Sequence, residues 1–424
     1  MHPRCLRPGL PASLGALILG LVLSLLLAGC GGAPVRDART AAGARAEPTV
    51  VLVSIDGLPA QLLGTGALPT LDALAREGTR AEWLNPSYPT HTFPNHYTLV
   101  TGLRPDHHGI VHSIMQDPAL GRFVSKEESA LDGRWWGGEP IWTTYQRQGG
   151  IAATMFWPGS EVPIGGQRPR YYRHFDNALS ADARIDQVLA WLDLPADQRP
   201  HLLLTYLNGY DVASHASGMT SPDAADALQR IDAALARLRR GLEARGIARN
   251  VDLIVLSDHG MIDVPRERVV WLDDVLDTRY YDHLWWGPQA DIVAHAGETQ
   301  RVERAFLGTH PHFACYRREN LPASWHYGTH PRVPPILCQS EAGWRLKARA
   351  DPANEPPVKG EHGYPPDEPS MRAVFVASGP SFRTAYTLPA FDNIHVYPLL
   401  AHLLGIAPAA NDGSLEKTRP ALVR

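Results

Sequence analysis

The run VVLVSIDG, residues 50–57, decides the fold. Val50 to Ile55 is apolar and mostly β-branched, too short for a helix, and it stops at Asp56-Gly57. A strand that reads as a continuous apolar run is covered on both faces, as strands of parallel sheets are. Working outward, LLLTYL at 202–207 and VDLIVL at 251–256 repeat the pattern, and shorter strands are expected at Ala152 to Phe156 and Ala373 to Ala377. Helical stretches alternate with them. Pro69 to Glu77 has proline at its start and Gly78 just beyond its end. Ala181 to Leu192 carries the stripe Ile185, Val188, Leu189, Leu192. Ser221-Pro222 opens a long helix to Arg245, and His395 to Leu404 is closed by Gly405. This alternation predicts an α/β domain over 48–424, with a mostly parallel central sheet flanked by helices. Between 261 and 360 the pattern loosens and Pro, Trp and Tyr accumulate. That stretch reads as an inserted subregion covering part of the sheet edge near the site, not an independent domain.

The 424 residues are 44% hydrophobic and 20% charged, a globular composition with no internal repeat. The formal net charge of −4 supplies no basic footprint for duplex nucleic acid. No feature of the chain fixes an oligomeric state. Residues 1–29 read as an export signal: Arg4 and Arg7 precede the apolar run Leu14 to Ala28, shorter than the ~20 residues a membrane span needs. Leu27-Ala28-Gly29-Cys30 resembles the bacterial lipoprotein signal, which implies a lipid on Cys30, and Gly31 in place of Asp is compatible with outer-membrane sorting. The expectation is an exported protein held at the cell envelope by that anchor, with residues 30–47 as a flexible tether. In an oxidising compartment, Cys315 and Cys338 are available to pair, or to remain as buried thiols.

Acids and histidines fall where the strands end. Asp56 follows the first strand, Asp258 and His259 follow VDLIVLS, and Asp211 and His215 come shortly after LLLTYL. Open α/β sheets bind ligands beyond the carboxyl ends of their strands. One such aspartate is ordinary turn chemistry, but three endings carrying carboxylates and imidazoles form a donor set that suits zinc. His362 lies in a glycine-flanked loop, and Thr92 sits in YPTHTFPNHYTLVTG (88–102) at a turn opening a helix.

With these residues stand SIDG (54–57), YPTHTFPNHYTLVTGLRPDHHGI (88–110), FWPGSE (156–161), SDHGM (257–261) and HGYPPDEPSMRAVFVASGP (362–380). The ordered set resembles the nucleotide pyrophosphatase/phosphodiesterase family of the alkaline phosphatase superfamily, across nearly the whole chain after the signal. The resemblance implies an alkaline-phosphatase-like fold and two zinc ions, one on Asp211, His215 and His362, the other on Asp56, Asp258 and His259 beside a Thr92 nucleophile. Contact with a cation would lower the pKa of the Thr92 hydroxyl. The expected reaction is hydrolysis of nucleotide-type phosphodiesters through a phosphothreonine. Phe93, Trp157 and Phe175 match the family's substrate pocket. Where the family has an asparagine that donates to the phosphate, this chain has Ser113, the main departure. A lipid- or choline-type phosphodiesterase, a monoesterase, or a surface lipoprotein binding zinc or nucleotide without turnover are the other readings.

Overall fold

In a computed structural model, residues 48–352 and 356–423 are described. The signal segment, the tether and Cys30 lie outside them. The first strand forms as expected: β1 is Thr49–Ile55, every residue buried. In chain order follow α1 (Pro69–Glu77), β2 (Thr79–Ala81), α2 (Thr92–Thr101), β3 (Ala152–Met155), β4 (Tyr171–Arg173), α3 (Ala181–Leu192), β5 (Leu202–Leu207), α4 (Gly209–Ser217), α5 (Pro222–Ala244) and β6 (Val251–Leu256). Next come β7 (Gln289–Ala294), β8 (Phe313–Arg317) and β9 (Ile336–Ser340), then β10 (Phe375–Ser378), β11 (Tyr386–Leu388) and α6 (Val396–Leu403). Helix starts match the capping signals: the Ser180 and Ser221 side chains accept from the Ala183 and Ala224 amides and open α3 and α5.

The main sheet has eight strands in the order β11-β2-β10-β6-β1-β5-β3-β4. β1 lies between β5 and β6, parallel to both. Only β10 runs antiparallel to its neighbours β6 and β2, so the sheet is mixed but mostly parallel. Alternate residues of β1 face opposite layers. Val50 and Leu52 pack with Tyr97, Leu99, Leu399 and Leu400 of α2 and α6, while Val51, Val53 and Ile55 pack with Leu71, Ile185, Leu228 and Leu235 of α1, α3 and α5. Both faces are therefore dry, which explains the unbroken apolar run.

The segment 261–360 carries strands of its own. β7, β8 and β9 belong to a separate five-stranded antiparallel sheet that pairs with neither edge strand of the main sheet, β11 or β4. Residues flanking its strands reach the chain that follows α2. Trp285 Nε1 donates to the Ile114 carbonyl, and the Tyr327 hydroxyl donates to the Val111 carbonyl. Cys315 and Cys338 face each other in register on β8 and β9 and are joined as a disulfide, Cα atoms 4.0 Å apart. Closing such a loop stabilises by about 3 kcal/mol in the chain-entropy picture.

Candidate metal centre

Three strand ends and one loop deliver the polar groups. Asp56 follows β1, Asp258 and His259 follow β6, and Asp211 and His215 lie one turn apart on α4, which begins just after β5. His362 enters from the loop that follows strand Val358–Glu361. Gly57 adopts φ +69°, and a Cβ there would lie 3.2 Å from Asp211 Oδ1 and 3.0 Å from the Met261 methyl. A side chain at that position would push into the cluster.

All three histidines hold the same orientation. The Nδ1–H of His215 donates to the Gly360 carbonyl at 2.7 Å, that of His259 to Gly260 at 2.9 Å, and that of His362 to Thr90 at 2.9 Å. Each Nε2 therefore turns a lone pair toward the cluster, the arrangement of metal-ligating imidazoles. His215 Nε2 and His362 Nε2 are 3.1 Å apart, and Asp211 Oδ1 lies 3.4 and 3.6 Å from them. His259 Nε2 lies 3.0 Å from Asp258 Oδ2, 3.5 Å from Asp56 Oδ1 and 3.2 Å from Thr92 Oγ1. Acceptors face acceptors, and the buried oxygens Asp211 Oδ1 and Asp258 Oδ2 have no hydrogen-bond partner. Such a set is satisfied by cations, not by its own members. Two groups of potential ligands emerge, Asp56-Asp258-His259 and Asp211-His259-His362. His259 thus stands at the seam of the two clusters expected from the sequence, and His215 joins the second at the distances above.

Left to themselves, the carboxylates and imidazoles perturb one another: burial lowers His215 and His259, but Asp211 and Asp258 outweigh it and raise both. Burial raises the Asp56 carboxyl well above its usual range, and the charges of Asp211 and Asp258 raise it further. Burial also raises Asp258, but the imidazoles of His259 and His96 outweigh it and hold Asp258 well below the usual range. Burial, then His259 and His215, push His362 far down, leaving a neutral donor nitrogen.

Thr92 is the first residue of α2 and half-buried, its hydroxyl 3.4 Å from Asp56 Oδ1. Helix α2 opens there with the amides of Thr92 and Phe93, since Pro94 carries no N–H and the Asn95 amide donates to the His91 carbonyl at 3.1 Å, and amides that open a helix favour an anion. Phe93, beside it, is half-buried against Trp136 and Phe123. Phe175 is exposed, its ring 5.3 Å from Phe156 and 6.4 Å from Tyr206. Trp157, expected in the substrate pocket, is instead 1% exposed. Its indole donates to the His96 carbonyl, and its ring meets the His96 ring edge-on at 5.1 Å. It braces α2 from below. Ser113 lies in the bend before strand Ile114–Asp117; its carbonyl accepts from Ser125, and its hydroxyl bonds to no described residue.

Three participants escaped the sequence. The Tyr206 hydroxyl donates to Asp56 Oδ2. His96 donates from Nδ1 to the Thr92 carbonyl at 2.9 Å and accepts the Ser54 hydroxyl at Nε2, 2.8 Å. Its place four residues after Thr92 was the readable signal, since i and i+4 share a helix face. Gln289 reaches His91 across 198 residues, a distance no local pattern spans.

The profile of the Type I phosphodiesterase / nucleotide pyrophosphatase family matches residues 50–365. A Schizosaccharomyces pombe protein described as an uncharacterized pyrophosphatase/phosphodiesterase is 36% identical over 392 residues, 88% of this chain and 80% of its own. Ectonucleotide pyrophosphatase/phosphodiesterase family member 3 of Rattus norvegicus is 36% identical over 87% of this chain, and member 1 of Homo sapiens 34% identical over 90%. The chain spans 43% and 42% of the length of those two. Murine ectonucleotide pyrophosphatase / phosphodiesterase 5, solved as an inactive form in complex with AMP, superposes with a TM-score of 0.84 at 32% identity, covering 89% of this chain and all of that one. The fold is thus alkaline-phosphatase-like, and the chain belongs to the type I phosphodiesterase/nucleotide pyrophosphatase family.

Proposed function

We propose that the chain hydrolyses nucleotide-type phosphodiesters in two steps through Thr92, with two zinc ions as cofactors. The observation that carries this reading is the convergence of three Nε2 atoms and three carboxylates, two of whose members, His259 and Asp56, lie 3.2 and 3.4 Å from the Thr92 hydroxyl. One zinc would be held by Asp211, His215 and His362, the other by Asp56, Asp258 and His259. When bound, the metals supply Lewis acidity that lowers the pKa of the Thr92 hydroxyl and offsets charge on the phosphoryl oxygens.

The chain's own residues supply the rest. Thr92 Oγ1 attacks phosphorus, and the bond to the esterified leaving oxygen breaks as the phosphothreonine forms. Water then attacks the same phosphorus and returns Thr92 as the hydroxyl. The Thr92 and Phe93 amides that open α2 would donate to the phosphoryl oxygens, while His96 holds the Thr92 carbonyl and Tyr206 holds Asp56. Phe93 and Phe175 offer rings on which a base can stack. The murine relative's complex with AMP supports a nucleotide in this place.

The test is turnover of the nitrophenyl ester of thymidine monophosphate against nitrophenyl phosphate by zinc-loaded protein. Diester preference, abolished in Thr92→Ala, is expected; monoester preference or turnover surviving Thr92→Ala sinks the proposal. We further propose that Cys30 carries the lipid anchor of an envelope protein. Labelled palmitate incorporated by wild type and lost in Cys30→Ser is the expected result, and equal incorporation would refute it.

A further inference from the structure

One side chain from the inserted sheet grips both the residue before Thr92 and the residue after His362. Gln289, 1% exposed at the start of β7, donates from its amide nitrogen to the Gly363 carbonyl at 2.9 Å and to Gln339 Oε1 at 3.1 Å. Its oxygen lies 2.9 Å from His91 Nε2. The amide orientations are fixed by their partners. Gln339 commits its nitrogen to the Pro288 and Ser340 carbonyls at 3.1 and 3.2 Å, so its oxygen accepts, taking the Tyr88 hydroxyl as well at 2.9 Å. With the Gln289 nitrogen committed to two oxygens, its own oxygen accepts from His91, which carries its proton on Nε2 and leaves Nδ1 bare.

The packing around this relay leaves no slack. Gly363 adopts φ +119°, and a Cβ there would stand 2.7 Å from His91 Cε1 and 2.9 Å from His91 Nε2. Thr90 ties the same two segments a second time. Its hydroxyl accepts the Gly363 amide at 3.0 Å and donates to the Tyr364 carbonyl at 2.8 Å. Gln289 and Gln339 are register partners on β7 and β9, one step from the Ala290–Cys338 pair. The disulfide-linked sheet is therefore the platform on which the relay stands.

We propose that Gln289 is a positioning residue of the Thr92 centre: by holding His91 and Gly363 together, it sets the separation between the Thr92 hydroxyl and the His362 side of the cluster. This rests on the reading of Thr92 as nucleophile. The inserted segment then acts as part of the machinery, supplying the strut between nucleophile loop and ligand loop.

The experiment compares zinc-loaded wild type, Gln289→Met, His91→Ala and the double variant. Three quantities are read: kcat and KM on the nitrophenyl thymidine ester, zinc retention against a competing chelator, and Tm. Gln289→Met is expected to lower kcat about tenfold or more with KM within about twofold, and to weaken zinc retention about tenfold. In the His91→Ala background it should add little. Values of kcat and zinc retention within twofold of wild type overturn the proposal, as does a parallel loss of kcat, KM and Tm. Should Gln289→Met fold poorly, Gly363→Ala presses on the same His91 edge and must lower kcat and zinc retention instead; if it leaves both unchanged, the proposal falls. A wild type without diester turnover would sink the functional reading, and the zinc-retention difference would still decide the role of Gln289.

Discussion

The two halves of the ligand cluster use similar residues in different surroundings. Asp56, Asp258 and His259 have side chains no more than 2% exposed. Asp211 and His362 are 12% and 9% exposed, and His215 reaches 32%. The first half hangs directly from β1 and β6, the middle of the sheet, and touches Thr92. The second is borrowed from α4 and a loop, and one of its imidazoles looks toward solvent. On the proposed two-step reaction, enclosure would suit the half beside Thr92. On the same proposal, openness would suit a half that admits water. The contrast makes the enclosed half structural as well as chemical, because uncompensated carboxylates there are costly to bury.

The largest effect should follow damage to the enclosed half. Asp258→Asn removes a ligand oxygen and also disturbs the Gly57 amide that donates to Asp258 Oδ1 at 3.1 Å. Diester turnover is expected to fall by at least about 10³-fold, with about one zinc lost per chain by metal analysis. His215→Ala, in the open half, should cost about 10²-fold while the enclosed zinc stays bound. Graded chelation of wild type should release metal in two stages, the first accompanied by the His215→Ala level of activity. Single-stage release, or an Asp258→Asn variant milder than His215→Ala, would break the contrast between the halves.

That contrast also separates what local sequence could and could not reveal. The enclosed half was readable because Asp56 and Asp258-His259 directly follow unbroken apolar runs, and burial on both faces leaves those runs one interpretation. Asp211 and His215 were readable from their four-residue spacing. An aromatic beside a motif has the same sequence signature whether it faces a ligand or the underside of a helix; the burial of Trp157 against the His96 carbonyl and ring was therefore not readable. The inserted sheet hid its contribution for a different reason. Its strands pair among themselves, so nothing in 261–360 announces that Gln289 returns to His91, and only tertiary packing makes that contact. The direction of β10 was likewise invisible, since a short apolar strand reads the same parallel or antiparallel.

The smallest expected effect tests whether Phe175 serves the substrate or only the enclosed half. Phe175 is exposed, yet it is held in place: its amide donates to Glu161 Oε1 at 2.8 Å, and the Arg184 guanidinium lies 5.0 Å from the Phe156 ring and 5.9 Å from that of Phe175. Its ring is 6.4 Å from Tyr206, whose hydroxyl holds Asp56. On the proposed function, an exposed aromatic one ring away from the enclosed cluster would serve as a stacking platform for a base. Removing one base-stacking ring costs about 1–3 kcal/mol, so Phe175→Ala should raise KM for the thymidine ester roughly tenfold with kcat nearly unchanged. Bis-nitrophenyl phosphate, which has no base, should be turned over as by wild type. An equal loss on both esters would instead mean that Phe175 supports Tyr206 and Asp56 from outside, and would assign the ring to the enclosed half.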